Sequence, residues 1–396
     1  MKSGSAPFHT QDFSLVLGGP LYQLWRRSLL CGPALEFLIR RMIGIPLFAW
    51  LPLLALTGAS GTALPGKLAI PFLYDFEAHA RLLVAIPLLL IAEVAIHQRI
   101  RIVVGHFVDS GIVGAEALPG FEVAIGRAMR LRNSVVIELV LVFLAFGLSW
   151  WLWRGWSGLE QSTWYGVVEG GQTRSTMAGW WYVHVSLPIF QFLLYRWYFR
   201  IFVWFTFLRQ VSRLPLRLTP THPDRAGGLG FLSISAAAFA PLILAQSVTL
   251  AAVLANRILY QGKVLFSFQY EIIAFVILQL LLILGPPTVF MPKLIALKRQ
   301  ARWDYGTLAA RYTSEFHEKW IERKAPPGEA LLGSADIQSL ADLANSYGVV
   351  SEIKPVPFGK ETIVPIALAT VIPLLPLLLT VVPAATIVKG LFGLLL

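Results

Sequence analysis

Five ionisable residues fall at similar depth inside apolar stretches of this chain, and their spacing limits the chemistry open to them. Glu93 and His97 stand one helical turn apart within 82–98. Glu138 lies one turn into a stretch that begins at Val135, and Arg196 and Arg200 are one turn apart within 180–208. Charge in hydrocarbon is costly unless it is paired or wetted. Three arrangements satisfy that condition. Glu93 or Glu138 can pair with Arg196 in a buried network, with the arginine heads also reaching toward lipid phosphate. Glu93, His97 and Glu138 can line an ion or proton path. Glu93 and His97 can share a metal, because their i, i+4 spacing puts both on one helix face, but no third ligand is evident and no metal is expected.

A second set of candidates is the string Thr219-Pro-Thr-His-Pro-Asp-Arg-Ala-Gly-Gly-Leu-Gly-Phe231, containing His222, Asp224, Arg225, Gly227, Gly228 and Gly230. Two prolines keep the backbone extended, and the glycines permit a tight turn into the next helix. The N–H groups of that helix start suit an anion or carboxylate. Asp224 is expected to cap the helix or to hold Arg225, and the alternative is a gate at the mouth of the bundle. The glycine spacing matches neither the dinucleotide nor the P-loop fingerprint, so no cofactor is expected.

The elements that must position these residues are seven apolar stretches, near 42–59, 82–98, 135–153, 180–208, 230–255, 272–295 and 362–388. Each is close to the ~20 residues that cross a bilayer. The composition agrees: 56% of 396 residues are hydrophobic and 14% charged, too few charges for a soluble globule. The reading is an all-α polytopic membrane bundle of about seven spans. Its last span carries Pro365, Pro373, Pro376 and Pro383, so it is broken and either crosses or re-enters. Counting residues at the adjoining span ends, 26 of the 33 Lys and Arg lie on the side that holds the N-terminus. The positive-inside rule makes that side cytoplasmic, and a bacterial inner membrane is the expected location. The net charge of +11 then faces anionic headgroups rather than nucleic acid. One cysteine, Cys31, excludes an internal disulfide.

Residues 1–41 read as a cytoplasmic segment whose part Leu21–Arg41 is an amphipathic helix on the membrane surface. Residues 42–296 hold six spans, 297–360 a cytoplasmic helical segment, and 361–396 the last span. Within 297–360, a charged helix over 300–324 ends at Ala325-Pro326-Pro327-Gly328. A second helix, 335–347, begins at Ser334 and stops at Gly348.

The 219–231 string and Leu331-Leu-Gly-Ser-Ala-Asp-Ile-Gln-Ser-Leu-Ala-Asp-Leu-Ala-Asn345 resemble a family of uncharacterised bacterial multi-pass membrane proteins. The likeness runs from the fourth span to the C-terminus and implies no activity, substrate or site residue. Residue chemistry favours a channel or transporter subunit that forms a homo-oligomer and passes ions or a small solute. The rival is a membrane-embedded sensor or interaction protein that binds lipid or a partner through its basic face. An enzyme ranks third, because no nucleophile or metal cluster converges beyond His222 and Asp224.

The orientation is testable. In a Cys31→Ser background, a cysteine at position 165 should react with a membrane-impermeant thiol reagent added outside intact cells, and one at position 320 should not. The reverse pattern would overturn the topology.

Overall fold

The computed structural model describes residues 13–27, 37–66, 68–156, 162–169, 172–322, 324–326, 328–330 and 334–381. In chain order its helices are α1 (Pro20–Arg27), α2 (Leu38–Ala59), α3 (Phe76–Asp109), α4 (Leu118–Arg132), α5 (Val135–Trp156), α6 (177–211), α7 (Leu232–Gln261), α8 (Leu265–Leu284), α9 (Met291–Phe316), α10 (Ala335–Ser351) and α11 (Lys360–Thr380). Among the described residues one antiparallel hairpin, β1 (Gly166–Glu169) with β2 (Gln172–Ser175), interrupts this all-α pattern.

Helices α2, α3, α7, α8 and α11 are long and apolar enough to cross a membrane, and α4 with α5 adds a sixth if the 42° bend between them lies within one span. These fit a multi-pass membrane protein. The expected count of seven is not reproduced, because the stretch 180–208 forms α6 but is not among the helices apolar enough to cross. The physical reason is its position. Arg196, Arg200 and Gln191 break its apolar run, and all three are buried beside Trp197, Trp204 and Phe207. Helices α3, α4 and α5 pack around it. Its polar groups therefore face protein, whereas α8 and α11 turn Ile277, Leu281 and Leu379 outward. Lipid selects for apolarity only on helices that touch it.

Proline sets several boundaries. Both α3 and α6 contain a π turn, at Ala80–Ala85 and Tyr182–Ser186, and a proline follows two residues later in each, Pro87 and Pro188. Proline cannot donate to the carbonyl four residues back and its ring crowds that carbonyl, so the preceding turn widens. The stretch 272–295 is likewise not one helix. α8 stops at Leu284, Pro286 and Pro287 supply no N–H, and a 3₁₀ turn over Pro286–Phe290 leads into α9. In α11 the backbone tightens from α to 3₁₀ at Ile372, beside Pro373 and Pro376. Residues 382–396, on which crossing or re-entry of the last span turns, lie outside the described residues.

Two ends of the bundle differ. At the aromatic end, the Asp75 carboxylate accepts from Glu77 N–H (3.0 Å) and Ala78 N–H (3.2 Å) and so caps α3. It also accepts from Trp164 Nε1 (2.9 Å) and Asn256 Nδ2 (2.8 Å), which ties α3 to the 162–165 segment and to α7. At the basic end, α9 and α10 form a helical pair outside the bundle, joined by buried Ala301, Val350 and Ile353. α10 continues past Gly348 to Ser351, and Ser334 makes no side-chain cap bond. Packing against α9, rather than its stop and cap residues, sets its length.

Candidate functional site: a buried arginine–glutamate cluster

Glu93 is 1% exposed and sits at the centre of the cluster. α6 presents Arg196 and Arg200 from one face, since residues four apart align. Arg200 Nη2 lies 2.8 Å from Glu93 Oε1, and Arg196 Nη1 lies 3.7 Å from the same oxygen. Arg196 Nε is 3.4 Å from Glu138 Oε1 on α5. The pairing read from the sequence is thus present, and both carboxylates take part in it.

The sequence reading placed Arg41 on the membrane surface. Instead the first turn of α2 carries it inward, where it is 0% exposed and Nη1 lies 2.8 Å from Glu93 Oε2. Its neighbour Arg40 points another way and stacks over Phe37, 4.4 Å from the ring centre. Adjacent positions diverge by about 100° on a helix, so only one of the two can enter the bundle.

Two further residues were not singled out in the sequence. Arg132, at the end of α4, lines a cavity of about 20 Å³ together with Glu138, Arg196 and Arg200. That is room for about one water. No carboxylate among the described residues lies within ion-pair distance of Arg132, which donates to Asn133 Oδ1 and to the Ser14 carbonyl. Ser14 belongs to an inserted segment, 13–17, of which Phe13, Ser14, Leu15 and Val16 are buried. Phe13 packs on Phe207 with ring centres 4.8 Å apart. The Ser14 hydroxyl oxygen accepts from Val16 and Leu17 N–H and lies 2.9 Å from His97 Nδ1. His97 therefore contacts the inserted segment, and Glu93 is engaged by guanidiniums on both oxygens. Nothing brings the two residues together at a metal.

Gly18 (φ +147°) and Gly19 (φ +88°) turn the chain from this segment into α1. A β-carbon on Gly18 would lie 2.3 Å from Arg132 Nη2 and displace that guanidinium, and the positive φ itself favours glycine. Leu21 N–H then donates to Glu138 Oε1 at 3.2 Å. In total, four guanidiniums converge here with two carboxylates among the described residues.

The 219–231 loop is ordered at the basic end, and Gly227 (φ +65°) and Gly228 (φ +96°) both adopt the left-handed backbone. The expected roles of Asp224 need correcting. It neither caps α7 nor holds Arg225. One carboxylate oxygen accepts from Ala226 (2.8 Å) and Gly228 (3.2 Å) N–H, and the other accepts from Gly230 N–H (2.7 Å). Its own loop places those donors nearer than the helix start, so they are filled by Asp224 and offer no anion site. His222 Nδ1 contacts the same carboxylate at 2.8 Å, while Arg225 reaches Glu352 at 2.6 Å beyond α10. Burial alone would raise the Asp224 carboxyl. Donation from Ala226, Gly230 and Gly228, with His222, outweighs it and holds the group below the ordinary carboxylate range.

At the aromatic end a second cavity, of about 380 Å³, is lined by Asp75, Glu77, Arg81, Tyr182, Asn256 and Arg257 among others. Arg81 pairs with Glu77 and donates to Tyr182 at 3.0 Å. No spacing in the sequence joins Arg81 to Asn256, more than 170 residues away.

No protein-family model, curated protein or solved structure matches this chain.

Glu93→Gln should destabilise the bundle by about 3–5 kcal/mol, the range for breaking a buried charge pair. Folded yield after size-exclusion chromatography would report the loss. Arg132→Gln, which strands no carboxylate, should remain monodisperse, and equal behaviour of the two variants would refute the hierarchy. For Asp224, a lowered carboxyl stabilises the fold above its ordinary titration range, and that contribution is lost as pH falls through the lowered value. Hydrogen exchange at Ala226, Gly228 and Gly230, taken relative to the intrinsic amide rate at each pH, should accelerate on acidification in the wild type. In Asp224→Asn, with one acceptor oxygen instead of two, it should already be fast at neutral pH.

Proposed function

We propose that this protein transports a small anionic solute across the membrane, with its basic end cytoplasmic and residues 13–19 closing that end. The observation that carries the reading is the cluster of four guanidiniums over two carboxylates beneath the inserted segment. Buried ion pairs are weak sources of stability and apolar packing often replaces them without loss, whereas charge at membrane depth commonly serves a solute path. Among the described residues positive charge exceeds negative at this cluster, which favours an anion.

Other features support the same reading. The 380 Å³ cavity gives a polar vestibule at the opposite end. Arg81, on its wall, and Glu93 lie on one helix, twelve residues and therefore about 18 Å apart. Between the two ends the interior holds Gln191 with Ser149, and Tyr198 with Gln246 and Gln279. Gln279 Nε2 and Ser247 Oγ are buried without a protein partner, each at a cost of about 1–3 kcal/mol. A closed bundle is also what the rival interaction protein would present, so flux is the discriminating measurement.

Liposomes containing the full chain or a variant lacking residues 1–19 should be loaded with chloride, phosphate or sodium and compared with protein-free vesicles. Removal of the segment should raise efflux of at least one anion about tenfold and leave sodium unchanged. If correctly folded samples of both proteins are as tight as empty vesicles, the transport reading fails and the interaction reading replaces it.

A further inference from the structure

A groove of about 480 Å³ between α9 and α10 is lined by Ile295, Lys298, Arg299, Arg302, Trp303 and Tyr347. Three cations meet there, and among the described residues no carboxylate lies within ion-pair distance of any of them. Lys298 is fixed by donation to the Ile353 carbonyl at 3.0 Å. Arg299 and Arg302 are exposed, and Trp303 is 74% exposed. The groove is independent of the transport reading and lies outside the cluster that supports it.

The order of residues along α9 indicates what the groove receives. Leu297, Ala301 and Tyr305 turn toward α10 and its buried Val350. Met291, Ile295, Lys298, Arg299 and Arg302 fall within about 100° of arc on another face, by the helical rotation per residue. Met291 and Ile295 are exposed. Down the helix from the bundle, that face passes from apolar to cationic, with the exposed Trp303 about 40° beyond its edge. Lys293 donates to the Leu214 carbonyl just past the end of α6, which marks the level where the bundle ends. Arg299 lies six residues further on, about 9 Å at the helical rise, close to the depth of the headgroup layer outside ~30 Å of hydrocarbon.

We propose that this groove binds the phosphate headgroup of an anionic phospholipid from the adjoining leaflet. Arg299 and Arg302 receive the phosphate, Lys298 adds a third charge, and Met291 and Ile295 lie along the acyl chain. Trp303 occupies the interfacial position that tryptophan favours. Two features favour a lipid over a free phosphate compound. The cations continue the exposed apolar stripe of Met291 and Ile295, and Ile295 itself lines the groove, one turn from Arg299.

Full-length protein in a non-ionic detergent should be titrated with short-chain phosphatidylglycerol and phosphatidylcholine. The signal is the fluorescence difference between the wild type and Trp303→Phe. Phosphatidylglycerol should bind and phosphatidylcholine should bind at least tenfold more weakly. Each basic residue near an anionic surface contributes about 1 kcal/mol, roughly fivefold, so Arg299→Gln with Arg302→Gln should weaken phosphatidylglycerol about 25-fold at an unchanged elution volume. Inorganic phosphate or a nucleoside triphosphate at millimolar concentration should not compete. Equal binding of the two lipids, unchanged affinity in the double variant, or competition by a soluble phosphate would each overturn the assignment. Should the double variant not fold, Tyr347→Ala, which opens the groove wall and removes no charge, should weaken phosphatidylglycerol, and unchanged affinity would overturn the assignment.

Discussion

The Glu93 carboxylate holds guanidiniums from two different helices, and the arrangement of the bundle follows from that sharing. Arg41 takes one oxygen from α2 and Arg200 the other from α6. α3 can therefore sit only between them, rotated so that Glu93 points inward. Neighbouring positions Leu89, Leu90, Ile96 and Ile100 are buried by the same rotation. Between apolar helices in lipid there is little hydrophobic drive to prefer one rotation over another. A charge contact at a single depth does what apolar packing does poorly, which is to select one register. Its energetic return is small, because desolvating the ions offsets most of their attraction. Its contribution is to specificity.

The same contact explains which parts of the site were legible in the sequence. Glu93, Glu138, Arg196 and Arg200 interrupt apolar runs, and a charge in such a run must be paired or wetted, so a paired network was one of three arrangements legible in the sequence. Arg41 adjoins Arg40 at the edge of an apolar run, where snorkelling to headgroups accounts for either residue. Only the rotation of α2 distinguishes them. Ser14 meets His97 across 83 residues of sequence, and no local pattern carries such a contact. For Asp224, the prolines and glycines announced a tight loop, but the choice among nearby N–H donors was made by loop closure. Apolar length identified five helices long and apolar enough to cross a membrane, but it is a poor measure for α6, whose polar groups are set by the protein that surrounds it.

The π turns of α3 and α6 also belong together. Arg81 lies within the first and Tyr182 opens the second, and the hydrogen bond between them joins the widened segments of α3 and α6. π turns are frequent at functional positions because they re-aim side chains that a regular helix would direct elsewhere. Here both widened segments turn a polar group into the 380 Å³ cavity. Pro87 and Pro188 thereby shape that cavity without lining it, while farther along the same helices regular turns deliver Glu93, Arg196 and Arg200 in register.

The inserted segment also fixes an order of events in time. Residues 13–17 rest on α3, α4 and α6, including Phe207 near the end of α6. During synthesis from the N-terminus, those residues emerge early and the surface that receives them is complete only after α6 has been made. Nearly two hundred residues of chain must be produced while Phe13, Leu15 and Val16 wait without their binding site. Insertion is thus a late docking step, made by the earliest part of this region to be translated. The cover can reach its place no earlier than α6, the helix that brings Arg196 and Arg200 to the cluster.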